Sequence, residues 1–359
     1  MNDFFYKNLW SDGLPIVPPT LEKVKEFLKY TDRSPDEVLS ILEPGLRKAT
    51  VWKVAVNGVM AGCRPEYMPI LIAVVETIAD PHFCIADAGS TSGWEPLIIL
   101  NGPIIKELGF NNETGVLRVG NQANTSVGRF LRLFMRNVAG YLPGRGDMGT
   151  FGRPFYPVLA ENEDRSPWDP LSVDRGFKKS ANIVTVVSVQ SMSPPFLSKG
   201  DTAEAHLEII AREIATEASS NTTYIALRFG PEASPVLVLT PLISNLIAKG
   251  GYSKSDIRQY LFKNARIPAS KADIILKEWG TICDLVKKGA LPKSFCETSD
   301  PNRMLPIVHS ADDFLIVVSG DPSRNRSIAT FQPTKQGLAT SKAIKLPANW
   351  DKLMAENRK

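Results

Sequence analysis

Three groups of residues have the types and spacing for chemistry. Cys63 stands in Gly62-Cys63-Arg64-Pro65-Glu66, behind a run of strand composition and ahead of a helical pattern in which Pro65 suits the first position. Amide dipoles at a helix start and a neighbouring guanidinium both favour a thiolate, making Cys63 a nucleophile or redox thiol tuned by Arg64 and Glu66. The alternative is a small buried cysteine at a tight turn, with Glu66 as a cap. The second group is Asn121, Asn124, Thr125 and Ser126 between Gly115 and Gly128, with Arg118 or Arg129 as counter-charge, together with Ser90, Thr91 and Ser92 in the Ala88 to Gly93 loop and the nearby Asn101. Such loops offer amide N–H groups to a carboxylate or phosphate, although they fit neither the Walker nor the GxGxxG spacing and would serve equally as caps and turns. The third group is Gly320 to Arg326, where Arg324 or Arg326 would meet an acidic ligand at the end of a strand, or decorate an exposed Asp-Pro turn. Glu161, Glu163 and Asp164 are either proton-moving or cation-binding carboxylates, or solvated loop charge.

Positioning these residues requires strands alternating with helices. Thr20 caps a helix through Leu28, and Ser34 opens a second through Leu42. A strand is expected at Ala49 to Asn57, a helix at Glu66 to Ile78, a short apolar run at Phe83 to Ala86 and a strand at Leu97 to Leu100. The helix carrying Phe130, Leu131, Phe134 and Val138 follows, and then Gly140 to Gly176 lacks periodicity, as a functional lid or a crossing between lobes would. Strands are expected at Ile183 to Val189, Tyr224 to Phe229, Val236 to Leu239 and Phe314 to Val318, with a last strand pair near Ser327 to Phe331 and Thr340 to Leu346. Helices are expected at Thr202 to Ser219, from Ser253 through Leu261, and at Lys271 to Lys288. This pattern predicts an α/β fold with a mixed, partly parallel sheet and flanking helices, in two lobes similar to each other, 1–176 and 177–359.

Composition narrows the function. The chain has 359 residues, and Lys+Arg 42 against Asp+Glu 38 leaves a net charge of only +4 with signs interspersed, which argues against nucleic acid as a partner. No apolar run is long enough to span a bilayer and the first residues lack a signal-peptide pattern, so no membrane association and a cytoplasmic location are expected. The four cysteines lack a CxxC motif, so free thiols are expected. Three dispersed histidines argue against a His-based metal centre, and no cofactor is implied.

Several segments resemble a known family: Trp10 to Thr20, Ala49 to Pro69 with its Cys63 stretch, Asn101-Gly102-Pro103, Ala160-Glu161-Asn162-Glu163 with Ser166-Pro167-Trp168, and Tyr252-Ser253-Lys254 through Arg266-Ile267-Pro268. The family consists of largely uncharacterised bacterial proteins found beside, or fused to, thioredoxin-like redox domains of the UGSC type. The UGSC motif itself is absent here, and Cys63 is the only thiol in a matching segment. The resemblance implies thiol chemistry and a thioredoxin-like redox partner.

The leading expectation is an enzyme, homo-oligomeric, acting on a small anionic organic molecule by thiol-dependent redox chemistry or carbon–heteroatom bond cleavage. Alternatives are a cofactor-free lyase or hydratase using carboxylate acid–base catalysis, and a non-catalytic subunit of a redox complex.

Overall fold

Pro15, Pro18 and Pro19 keep the chain extended between α1 (Asn2–Lys7) and α2 (Leu21–Leu28), and the Thr20 hydroxyl caps α2 by accepting the Lys23 N–H. The helix expected at residues 34–42 is instead a hairpin of β1 (Val38–Leu42) and β2 (Arg47–Thr50), with Leu42 opposite Arg47. Val38, Leu39 and Leu42 fit helical spacing, yet the apolar, partly β-branched run suits a pleated surface equally well. The strand expected at 49–57 is also corrected. Only its first residues extend β2, and Thr50 then caps α3 (Val51–Ala61), which ends at the left-handed Gly62. A Cβ on Gly58 would fall 2.7 Å from both Leu71 and Phe27, so glycine permits the close approach of the flanking helices.

The helix expected from Glu66 is one 3-10 turn, Pro65–Tyr67, leading into α4 (Met68–Ile78). Phe83 to Ala86 forms 3-10 turns. The buried strand is present as β3 (Glu95–Asn101), followed by α5 (Ile104–Glu107) and α6 (Gln122–Phe134). Between Gly140 and Gly176 the chain makes only short pieces, β4 (Leu142–Pro143), β5 (Gly146–Asp147), β6 (Leu159–Ala160) and α7 (Leu171–Asp174), before β7 (Ile183–Val189).

These elements and the C-terminal segment make one of two units, comprising Met1–Glu161, Ser172–Val187 and Ala339–Lys359; the other comprises Asn162–Leu171 and Ser188–Leu338. The computed structural model describes residues 1–219, 234–276, 280–332 and 338–357. The strand expected at Tyr224 to Phe229 lies outside them.

In the first unit a four-stranded sheet has the order Thr340–Ala343, β7, β3, β6, with β3 and β6 parallel and the Thr340–Ala343 strand antiparallel to β7. Its core gathers α3, α4 and α6. The C-terminal segment is fastened by Thr340 Oγ1 to the Thr77 carbonyl at 2.9 Å and by Trp350 Nε1 to Glu107 at 2.9 Å, with Trp350 edge-on to Tyr30.

The second unit has its own sheet. β8 (Ser191–Met192), β9 (Val236–Leu239), β10 (Arg266–Pro268), β11 (Met304–Pro306), β12 (Leu315–Val318) and β13 (Ser327–Phe331) follow in chain order, and the sheet runs β12, β9, β13, β8 with β12 and β9 parallel. The two last strands of the chain are therefore not a pair but members of different sheets. Helix α8 (Ala203–Ala218) is capped by Thr202, and a capping box at Ser253 and Asp256 starts the helix Lys254–Asn264. The helix Pro241–Lys249 was not foreseen. The single helix expected at 271–288 is two helices, Ala269–Leu276 and Ile282–Lys287, with Gly280 at φ 108° before the second. Both units are α/β with mixed sheets.

The expectation of free thiols fails for two of the four cysteines, because Cys283 and Cys296 form a disulfide across a sequence separation of 13. Closing a loop of this size contributes about 3 kcal/mol by restricting the unfolded chain. Reduction is therefore expected to lower the stability of the second unit by about that amount. Calorimetry with and without dithiothreitol checks this, and an unmoved transition would contradict it. Among the described residues no single helix is long and apolar enough to cross a membrane, and the one pair of sufficient length, Pro65–Ile78 with Pro81–Gly89, is bent by 70°.

Candidate active site

Cys63 does not open a helix behind a strand, as its sequence neighbourhood predicts. It lies past the C-terminal end of α3, where its N–H donates to the Gly58 carbonyl at 3.0 Å and completes the αL cap at Gly62. A helix C-terminus repels negative charge. Burial pushes the thiol up to about 12, outweighing the opposite effects of Ser126 and Arg129. Arg64 pairs with Glu66 at 2.9 Å, lies over the Tyr67 ring and donates to the Leu108 carbonyl. In the folded chain Cys63 is expected to react with iodoacetamide at pH 8 at least about a hundredfold more slowly than the partly exposed Cys84. Alkylation resolved by mass spectrometry checks this, and comparable rates would restore the thiolate reading.

The polar loop expected up to Gly128 is corrected, because α6 begins at Gln122 and takes in Asn124, Thr125 and Ser126, and these residues act as a clamp. Asn121 caps the helix and donates to the Gly109 carbonyl, while Thr125 accepts the Gly120 N–H. Asn124, fully buried, donates to the carbonyls of Asn111 and Val158 and accepts the Asn111 N–H. Arg129 makes two 2.8 Å bonds to Asp12 and reaches the carbonyls of Leu14 and Pro15, which ties down the N-terminal arm. Asn101 donates to Glu161 at 2.7 Å, both residues being fully buried. Arg324 belongs to the second unit, 3.9 Å from Asp321 and 75% exposed. Among the described residues no group of three or more His, Cys, Asp or Glu side chains could hold a metal ion, so Glu161, Glu163 and Asp164 do not gather as a carboxylate site.

The loop with Ser90, Thr91 and Ser92 leads to a different place. The Gly89 carbonyl accepts the Met148 N–H at 2.8 Å, and the Thr91 carbonyl accepts both the N–H and the hydroxyl of Thr150. Ser90 and Ser92 hydroxyls lie 3.0 Å apart. A Cβ on Gly89 would stand 1.8 Å from the Gly146 carbonyl oxygen, so the two loops lie backbone against backbone. Gly93, the start of β3 and the Gly144 to Arg153 stretch line an open cavity of about 330 Å³, to which Ser90, Thr91 and Ser92 do not contribute.

Glu95, at the head of β3, lines this cavity and is 3% exposed. Arg132, one helical turn beyond Gly128 on α6, gives its short bond to Asp147 at 2.6 Å and stands 3.4 Å from Glu95. Asp147 takes the stronger half of the guanidinium and adds a negative charge, so burial prevails and the Glu95 carboxyl rises to about 7. Arg132 itself is held charged by both acids against its burial. Arg153 also lines the cavity, exposed and without an acidic partner among the described residues. Burial raises the nearby Tyr156 phenol, which Arg153 partly offsets, so Tyr156 stays protonated. A buried carboxyl near neutrality, a paired arginine and an unpaired one in a concave site are the parts of acid–base catalysis on an anion. A larger cavity of about 420 Å³ in the second unit, lined by Glu208, Arg212, Tyr260 and Lys271 among others, holds no buried ionisable group.

Glu95 and Arg132 were missed as site residues. The signal available was an acid just ahead of the apolar run Leu97 to Leu100, and an arginine at 132 between Arg129 and Arg136. Comparison of the chain with protein-family models, curated proteins and solved structures finds no match.

Proposed function

We propose that the chain is a cofactor-free acid–base enzyme, of the lyase, hydratase or isomerase kind, acting on a small carboxylate with Glu95 as the proton-transferring group. The observation that carries this reading is the Glu95 carboxyl, buried and raised to about 7, lining a cavity that also presents Arg132 and Arg153. Arg153 is the cation that would hold the substrate carboxylate. Glu95, ionised, takes the proton from the adjacent carbon, and the electron pair of the broken C–H bond passes into the carboxylate as an enolate facing the guanidinium groups. Return of a proton to the opposite face of that carbon gives epimerisation, and departure of a β-substituent with its bonding pair, as the enolate pair forms the double bond, gives elimination.

The geometry supports this reading over the thiol-dependent one, because Cys63 keeps its proton at neutral pH. Proton abstraction has a direct readout. In D2O the chain is expected to exchange the hydrogen next to the carboxylate of short carboxylic acids, followed by proton NMR across a panel of 2-hydroxy, 2-keto and unsubstituted acids. Absence of exchange throughout the panel, with saturating protein, would count against it.

A further inference from the structure

Phe151 is 98% exposed, the most exposed large apolar side chain among the described residues, and it lies on the rim of the Glu95 cavity. Met148, on the same rim, is 57% exposed. We propose that these two side chains select carboxylic acids bearing a ring-sized apolar group, so that the substrate class is the arylalkyl carboxylates; this rests on the acid–base reading of the pocket.

The rim is held by its backbone. Thr150 is pinned through its N–H and hydroxyl to the Thr91 carbonyl, and Met148 through its N–H to the Gly89 carbonyl. Phe151 therefore sits between a fixed residue and Gly152, which has φ 65° and open space where a side chain would be. The ring can turn at the mouth without moving the loop. Of the lining residues, Glu95 is buried and Arg132 and Asp147 are half-buried, whereas Phe151, Met148 and the cation of Arg153 are exposed. A ligand matching this layout places its carboxylate on Arg153, its apolar group against Phe151 and Met148, and the carbon between them toward Glu95. Benzene fits a cavity of roughly 150 Å³. At about 330 Å³ the site has room for a ring and a carboxylate together. Covering an exposed phenylalanine ring is worth about ten- to a hundredfold in affinity.

Isothermal titration of the whole chain with 3-phenylpropionate and with propionate tests the assignment. The aryl acid is expected to bind at least about tenfold more tightly. Phe151→Ala is expected to bring that ratio below about threefold without moving the thermal midpoint, since the ring packs on nothing. Arg153→Gln is expected to weaken both acids. Equal affinities for the two acids, with both weakened by Arg153→Gln, would overturn the aryl selectivity while leaving the carboxylate reading intact. Binding of neither acid would overturn both. A dimer in sedimentation velocity that disappears on Phe151→Ala would also overturn the proposal, because the ring would then be covered by a second copy of the chain.

Discussion

Glu95→Gln is expected to slow hydrogen exchange from bound carboxylic acids by a factor of about 10² to 10⁴, the range that a positioned general base contributes. Glutamine keeps the size of the side chain and a carbonyl for Arg132, so the fold survives while the proton acceptor is lost. The wild-type rate should climb with pH until about 7, where Glu95 is half ionised. Stability moves the opposite way. A carboxyl whose folded pKa is raised binds its proton more tightly in the native state, so its favourable contribution is complete below the ordinary carboxylate value and is lost as pH rises through about 7. For a shift from 4.5 to about 7 the loss is on the order of 3 kcal/mol, and the Gln variant lacks it. Denaturant unfolding of both chains at pH 5 and pH 8 gives the difference directly. If the wild type does not fall relative to the variant between these values, Glu95 is not the raised carboxyl, and the acid–base reading goes with it.

Gly128→Ala should be among the most destabilising single changes in the first unit. In an open helix alanine is better than glycine by about 1 kcal/mol. Here the added Cβ would lie 2.1 Å from the Tyr156 carbonyl oxygen and 3.0 Å from the Pro157 Cα, both backbone atoms that no rotamer change can move aside. The Asn124 side chain bonds to the Val158 carbonyl one turn earlier on α6, so helix and strap are already locked together at this distance. Forcing them apart is expected to cost about 3 kcal/mol, reversing the propensity gain. The same strap carries Arg153 and Tyr156, so the variant should also weaken propionate binding. Urea unfolding measures the first effect and calorimetric titration the second. A variant as stable as the wild type would mean that the helix and the 156–157 backbone are not in contact in solution.

What was legible in the sequence was local. Thr20, Thr202 and Ser253 announce helix starts because a cap acts within three residues, and Ile183 to Val189 or Phe314 to Val318 announce buried strands because β-branched and apolar side chains dominate them, Thr185 and Ser188 being the polar exceptions. The errors fall where one pattern serves two periods. Val51, Val54, Ala55 and Val59 are β-branched or small and satisfy a strand's composition, but their spacing also makes a helix face, and Thr50 decides between the two. The polar loop at Ser90 to Ser92 is legible as a loop, but its partner is the Gly146 to Gly152 loop more than fifty residues away. Glu95 is not legible in the sequence for the same reason. Its acidity is set by burial and by Arg132 and Asp147, none of which is near it in the chain. Cys63 attracted attention through neighbours in sequence, whereas its protonation depends on being enclosed.

The first unit is written in three separated stretches, and the last of them supplies an outer strand of its sheet and the Trp350 anchor. A ribosome therefore delivers α3, α4, α6 and β3 long before the piece that covers β7, with the whole of the second unit made in between. During that interval β7 presents an unpaired edge, a template for joining another nascent chain. The second unit can close as soon as residue 338 emerges, but the pocket-bearing unit must wait, and polysomes translating this message would hold half-finished sheets side by side. Yield on expression should then depend less on the strength of the finished fold than on how quickly Ala339–Lys359 follows, or on a chaperone that shields the edge until it does.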